Sequence, residues 1–285
     1  MTPILLTHTD LDGVGCAVLV RGTSPAPVEL VENGAIDARV RGVIAGGLPE
    51  VLVTDHGLDE DTAALVDDFV AGGGRFALLD HHRSSQHLAA HAWATVDESR
   101  SATGLLYDHL GRPHRFAEFA RLVEDHDLWR HEDARSARLS ALVGLLGHDR
   151  FIARFSQDPE VEFREAELLL IEHAEGARED YLRRKLSQAR LLEVGGTRWA
   201  VCYAEQYQSD LAERLMSELG VAATAIVNPG KRTVSLRGRG VDVSRLAERF
   251  GGGGHARAAA FSFAGTDLEL ELTRFEAALD GALAD

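Results

Sequence analysis

Short apolar runs recur along the first hundred residues, and three of them end in clusters of Asp and His. Leu5-Leu6-Thr7 leads into His8-Thr-Asp10-Leu-Asp12-Gly13. Val51-Leu52-Val53-Thr54 leads into Asp55-His56, and Ala77-Leu78-Leu79 leads into Asp80-His81-His82. Apolar runs of this length, bounded by polar turn residues, predict buried parallel strands. The third run extends over 76–79, and two further strands are predicted over 28–31 and 92–96. Helical patterns cover 13–21, 61–71 and 116–129, and Ser101-Ala102-Thr103 reads as another helix start. Strand and helix signals that alternate in this way predict βαβ units and a mainly parallel sheet with flanking helices. Ligands of open α/β sheets bind beyond the carboxyl ends of the strands. The pattern therefore gathers carboxylates and imidazoles along one rim of one sheet.

From Pro159 the texture changes. Leu168, Leu169, Ile171, Tyr181, Leu182, Leu186, Leu191 and Leu192 stand among Glu and Arg at helical spacing, with Gly176 as the weak point. This predicts one long or broken helix over 159–194 that connects two domains. Beyond Gly195, strands are predicted over 198–203, 222–227, 233–237 and 258–263, and helices over 211–219 and 243–250. The expected organisation is an α/β domain over 1–158, a helical connector over 159–194 and a second, smaller α/β domain over 195–285.

Composition narrows the partners. The chain has 285 residues and a net charge of -15. An acidic protein does not coat long nucleic acid, because phosphate contacts need a basic face. A small anionic substrate stays open, since bound metal ions reverse the sign of the local field. Between Asn228 and Ala258 the balance turns locally basic, with Lys231, Arg232, Arg237, Arg239, Arg245, Arg249 and Arg257 against Asp242 and Glu248. That stretch is either a solvated face or a phosphate-recognition surface. No run is long and apolar enough for a membrane span, and none resembles a signal peptide. Two cysteines, Cys16 and Cys202, are too few for a disulfide framework. The expected location is the cytoplasm, without a membrane partner.

The rim suits metal chemistry. Carboxylate oxygens mixed with imidazole fit a divalent ion such as Mn²⁺. More ligands than one ion needs point to a two-metal site for phosphate chemistry. His8, Asp10 and Asp12 are spaced two apart, so an extended segment would put them on one face. Gly13 would then let the chain turn into a helix. The tract Gly251-Gly252-Gly253-Gly254-His255 reads as a phosphate cradle, because it lies inside a folded pattern.

With the Asp80-His81-His82 and Gly-Gly-Gly-Gly-His motifs in this order, the chain resembles the DHH-superfamily phosphoesterases that carry a DHH-associated C-terminal domain. That family includes RecJ-type exonucleases, nanoRNases and dinucleotide phosphodiesterases. The variant His8-Thr-Asp-Leu-Asp-Gly13 and the segment Glu124-Asp-His-Asp-Leu-Trp129 are most similar to the NrnB-type nanoRNase branch. The resemblance implies metal ligands at His8, Asp10, Asp12, Asp55, His81 and Asp127, with Asp55 bridging two ions. Asp127 is preferred to Asp125 because the family's Asp sits just before the Leu-Trp pair. His82 is implied near the scissile phosphate as a proton source. Arg237, Gly252, Gly253, Gly254 and His255 are implied as substrate contacts. The chain departs from the family at Ala260, where a Gly is usual, and its first motif is shorter than the HxxPDxD of the pyrophosphatase branch.

The activity implied is a metal-dependent phosphodiesterase that cleaves nanoRNA and linear dinucleotides to mononucleotides. The alternatives are a cyclic-dinucleotide phosphodiesterase, an adenosine 3′,5′-bisphosphate phosphatase, or a nucleotide-binding regulator with a decayed site. A homodimer is left open.

Overall fold

The computed structural model of the protein describes residues 3–194 and 196–263. The remainder of the second domain expected over 195–285, residues 264–285, lies outside the described residues. The chain divides into two compact units, Met1–Ile171 and Glu172–Asp285.

The first unit opens with β1 (Ile4–Thr7), α1 (Leu11–Thr23), β2 (Val28–Leu30), α2 (Ile36–Ala45) and β3 (Glu50–Thr54). It continues with α3 (Glu60–Ala71), β4 (Arg75–Asp80), a 3-10 segment (Arg83–Ala90), β5 (Ala94–Val96) and α4 (Ala102–His109). Then follow α5 (Ala117–Asp127), α6 (Ala134–Leu146), α7 (His148–Gln157) and the start of α8 (Glu165–Ser187). The five strands run parallel in the order β2-β1-β3-β4-β5. The chain therefore leaves β1 in one direction and returns past it to β3, which makes the β1/β3 boundary the topological switch point.

Both faces of this sheet are covered, as a parallel sheet requires. Leu5, Leu52 and Leu79 pack on one side against α1 and the helices beyond it. Ile4, Leu6, Val51, Val53 and Leu78 point to the other side, against Val40 and Val43 of α2 and Val66 of α3. Ten consecutive residues of α1, Leu11 to Val20, are buried, because α4, α5 and α7 wrap it on the side away from the sheet. Phe119 of α5 and Phe151 and Phe155 of α7 fill that outer layer. Burying one such ring contributes roughly 1.5–3 kcal/mol.

Helices α2, α6 and α7 carry no expectation from the sequence. They are nonetheless helices in the structure, and Val40 and Val43 of α2, Leu139, Leu142 and Val143 of α6 and Phe151 and Phe155 of α7 are buried in the cores. The helical expectation over 159–194 needs a correction. Helix α8 runs through Gly176 but stops at Ser187, and Leu191 and Leu192 lie in a strand, β6 (Arg190–Val194). The physical reason is tertiary. Those residues pair antiparallel with β7 (Thr197–Tyr203) across a tight turn whose Gly196 has φ 74°.

The second unit adds α9 (Gln208–Leu219), β8 (Ala223–Asn228), β9 (Thr233–Gly238), α10 (Ser244–Arg249), β10 (Gly253–His255) and β11 (Ala258–Ser262). Its sheet has the order β10-β11-β9-β8-β7-β6, antiparallel except for β7 beside β8. Among the described residues no helix is long and apolar enough to cross a membrane.

Candidate metal centre

The carboxyl ends of β1 and β3 are tied together before any ligand is placed. Thr54 Oγ1 donates to Thr7 Oγ1 at 2.7 Å, and Thr7 Oγ1 donates to the carbonyl of Gly13 at 3.0 Å. His8 follows β1 directly. Asp10 caps α1 and accepts the Gly13 N–H at 3.1 Å. A Cβ on Gly13 would lie 2.3 Å from the His8 carbonyl oxygen, so only glycine lets the helix begin this close to the strand.

His8, Asp10 and Asp12, the candidate ligands of this segment, do not share the face of an extended run, as the spacing alone suggests. Asp10 is a cap and Asp12 is already in the first helical turn. Capping wins because it satisfies orphan N–H groups at the start of α1. Asp12 is fixed from elsewhere. Its two carboxylate oxygens accept the N–H groups of Ala102 (2.6 Å) and Thr103 (2.8 Å) at the start of α4.

Asp55 follows β3 with φ 58°, in the left-handed region that few residues other than Gly, Asn and Asp adopt. Its N–H donates to the Leu79 carbonyl at 3.0 Å. The buried ring of His56 packs edge-on against His8, 5.1 Å between centroids, and its Nε2 lies 3.1 Å from the Val31 carbonyl. At the end of β4, buried Asp80 holds His82 through an Oδ1–Nδ1 contact of 2.8 Å. His81 Nε2 stands 3.5 Å from Asp55 Oδ1, and His82 Nδ1 stands 3.9 Å from the same oxygen.

Among the described residues the side chains converge in three overlapping groups, and Asp55 belongs to two of them, one with His8 and Asp10 and one with Asp80, His81 and His82. His8 Nδ1 stands 3.0 Å from Asp10 Oδ2 and 3.8 Å from Asp55 Oδ2. His81 Nε2 stands 3.5 Å from Asp55 Oδ1, 3.5 Å from Asp127 Oδ2 and 3.8 Å from Asp12 Oδ2. In each of the sets His8–Asp10–Asp55 and Asp12–His81–Asp127 the donor atoms lie within 4.8 Å of one another. Asp127, at the end of α5, joins the second set. Asp125 does not. Its carboxylate is buried on the N–H groups of Glu132 and Asp133.

The donor set fits divalent cations. Asp55 Oδ2 and Asp127 Oδ2 are buried and have no hydrogen-bond partner. An orphaned carboxylate oxygen of this kind is costly unless a cation meets it. Burial, then the carboxylates of Asp12 and Asp10, push the Asp55 carboxyl well above its ordinary range. Burial and the same two neighbours push Asp127 up to about 7. Asp12 is raised by burial, against its backbone hydrogen bonds. Burial also works against the charge on Asp10, yet the Gly13 N–H and the neighbouring His8 outweigh it and leave that carboxyl lowered.

This crowding has a measurable sign. A carboxyl whose folded-state pKa is raised stabilises the metal-free fold while it keeps its proton. That contribution is lost as pH rises through the raised value, here about 7 for Asp127. Cations replace those protons, so the stabilisation on adding Mn²⁺, read as a rise in Tm, is expected to be larger at about pH 8 than at about pH 6, growing by ~1.4 kcal/mol per pH unit for each proton displaced until pH passes the raised value. Thermal unfolding with and without chelator measures it. A metal-induced shift that is equal at both pH values would count against carboxylate ligation.

Two contributors are not evident from the sequence. Asp80 reads there as part of a motif, but its position two residues before His82 is what allows the side chains to meet. Its hydrogen bond, ahead of opposing burial, raises the His82 pKa. His56 stands beside Asp55 in the chain, and no local signal shows that it supports the His8 ring.

In the second unit, Arg237 of β9 and His255 of β10 fall on one rung of the sheet, both in register with Ala258 of the strand between them. Arg237 donates to the Leu236 carbonyl (2.9 Å) and to Ser209 Oγ (3.2 Å). The glycine tract is not a free loop. Gly253 and Gly254 lie in β10, the edge strand, and the Gly252 N–H is taken by the Ala247 carbonyl at 2.9 Å. Any backbone donation to a ligand therefore falls to the unpaired side of β10. A Cβ on Gly254 would meet the Ala258 carbonyl oxygen at 2.6 Å, which explains glycine at that position. Ala260 is exposed, so its methyl replaces glycine without a clash.

Residues 205–285 match the DHHA1 domain family. The chain is 33% identical over 302 aligned residues to oligoribonuclease NrnB of Bacillus subtilis (strain 168), covering 96% of this chain and 75% of that protein. Among solved structures, RecJ in complex with Mn²⁺ from Thermus thermophilus superposes with a TM-score of 0.55 at 18% identity. It covers 99% of this chain and 52% of its own. The pGpG-specific phosphodiesterase PggH from Vibrio cholerae gives 0.60 at 15% identity, with 99% of each chain covered. At these identities the structural likeness bears on the fold.

Proposed function

The chain belongs to the DHH phosphoesterase family, in the branch with a DHHA1 domain, and on that premise we propose that it hydrolyses very short oligonucleotides, nanoRNA and linear dinucleotides, to mononucleotides. The observation that carries this reading is Asp55, which offers one carboxylate oxygen to each of two ligand sets. His8, Asp10 and Asp55 would hold one ion, and Asp12, Asp55, His81 and Asp127 the other, with Mn²⁺ favoured by the mixture of oxygen and imidazole donors. Two such ions supply a clamp on the scissile phosphate and a hydroxide at neutral pH.

The protein's own groups do the rest. His82 keeps its Nδ1 on Asp80, so its Nε2 proton is the one available to the leaving oxygen. Asp80 also fixes the ring orientation, as an acceptor behind a catalytic His does. Arg237 and His255 would contact a substrate phosphate through the second unit, with backbone N–H groups of Gly253 or Gly254 on β10. The acidic overall charge fits a substrate with few phosphates better than a long strand. The buried, unpaired Cys16 and Cys202 fit a reducing compartment, and we place the activity in the cytoplasm.

The test is product analysis over time with labelled oligoribonucleotides of increasing length from the dinucleotide, beside a cyclic dinucleotide and adenosine 3′,5′-bisphosphate. The shortest linear substrates should be turned over fastest, and chelation should stop the reaction. Arg237→Ala and His255→Ala should each lower kcat/KM for dinucleotides about ten- to a hundred-fold, since a charge-assisted hydrogen bond is worth roughly 1.5–3 kcal/mol. Both should spare an arylphosphate diester, which reaches only the metal centre. A preference for long chains would sink the nanoRNA reading. Equal losses on both ester types would remove the phosphate role of the second unit.

A further inference from the structure

Three tryptophans are present, and two are buried. Trp93 is 8% exposed and Trp199 is 1% exposed, whereas Trp129 is 75% exposed. Trp129 lies two residues beyond Asp127, in the turn that follows α5. Leaving a large aromatic side chain in water forgoes the stabilisation that burial would give it.

The turn that presents it is held from several sides. The Trp129 N–H donates to the His126 carbonyl at 3.1 Å. The Asp125 carbonyl accepts the N–H groups of Arg130 (3.0 Å) and His131 (3.4 Å), and the Asp125 carboxylate accepts those of Glu132 and Asp133. Arg130 is anchored on Glu124 (3.3 Å) and on the Ser99 carbonyl (3.2 Å). Trp129 and His131 both adopt left-handed backbone, φ 55° and 52°. Bulky residues rarely stand there, and such strain persists only where the surroundings enforce it. The His131 ring meets the indole edge-on at 4.4 Å, and His126 stands 6.3 Å away. The indole is thus braced on one side, while most of its surface stays open.

A strained, anchored turn exposes one aromatic ring two residues along the chain from Asp127, whose carboxylate faces His81 at 3.5 Å. We infer that Trp129 is the platform on which a nucleobase of the substrate stacks, next to the phosphate held at Asp127. The inference rests on the oligonucleotide reading above and names how that substrate is gripped. Every base has a π-face, so such a platform favours nucleotides over other phosphoesters with little preference among bases.

Two measurements test it. In Mg²⁺-loaded full-length protein, adenosine 5′-monophosphate should quench the exposed-tryptophan fluorescence, and ribose 5-phosphate should not. Trp129→Phe should abolish the quench, because only the buried tryptophans remain. This readout needs no turnover, so it separates a failure of stacking from a failure of the proposed activity. In steady-state kinetics, Trp129→Ala should raise KM for diadenylate about ten-fold, the scale of one base–aromatic stack, with a smaller effect on kcat. Trp129→Phe should restore most of the affinity. A dinucleotide with one base removed should lose less on the Ala substitution. No quench by the mononucleotide, or equal losses on the intact and base-lacking substrates, would overturn the inference.

Discussion

Asp55→Asn is expected to abolish nearly all hydrolysis while leaving the fold intact. The carboxylate turns one oxygen towards His8 and the other towards His81, so in the proposed two-metal site a neutral amide would disturb both ions at once. Losing several kcal/mol of charge stabilisation corresponds to about a thousand-fold in rate for ~4 kcal/mol. The fold does not depend on the charge. Strand β3 is held by Val51, Leu52 and Val53 in the two cores, and Asn tolerates the left-handed backbone at φ 58°. In the metal-free protein the substitution also removes a buried carboxyl that is crowded by Asp12 and Asp10. The metal-free Tm should therefore stay level or rise, and the metal-induced increase should shrink. Turnover and thermal unfolding, each with and without metal, check this. Near-normal turnover in the variant would reduce Asp55 to a residue that merely ends a strand.

His81→Ala and His82→Ala should fail in different ways. His81 Nε2 faces three carboxylates, Asp12, Asp55 and Asp127, so its loss should lower metal content and stability in the loaded state. His82 is half exposed and spends its Nδ1 on Asp80. Its loss should spare bound metal and lower kcat by about 10²–10⁴, the usual worth of general acid help. Asp80→Asn should resemble a milder His82 variant and move the alkaline limb of the pH–rate profile to lower pH. Without the Asp80 hydrogen bond, the His82 pKa falls and the acid's proton is lost earlier as pH rises. Metal content by elemental analysis, beside kcat at saturating substrate, separates the two roles. If both His variants lose metal to the same extent, His82 is a ligand and not the acid.

Much of the first unit is legible in the sequence because its signals are local. Apolar runs such as Val51–Thr54 and Phe76–Leu79 are long enough to mark buried strands, and their Asp and His residues necessarily emerge at the carboxyl ends. Parallel order then brings those ends to one rim, which is why His8, Asp55, His81 and His82 can be placed together from the chain alone. The glycine-rich tract likewise announces a special backbone. It does not reveal that Gly253 and Gly254 form an edge strand.

Tertiary structure decided what depends on distant partners. Asp12 is aimed by N–H groups of residues 102 and 103, about ninety positions away, and not by its spacing from His8. Asp125 and Asp127 are alike in sequence. The first is consumed in building a turn and the second reaches His81, because residues two apart on helix α5 do not face the same way. Leu191 and Leu192 fit a helical stripe as well as a strand, and pairing with β7 settled the matter. Arg237 and His255, apart in sequence, meet on one rung only through the register of three strands. Local patterning fixes which residues end a strand, whereas the direction in which a charged side chain points is set by long-range hydrogen bonds, burial and register.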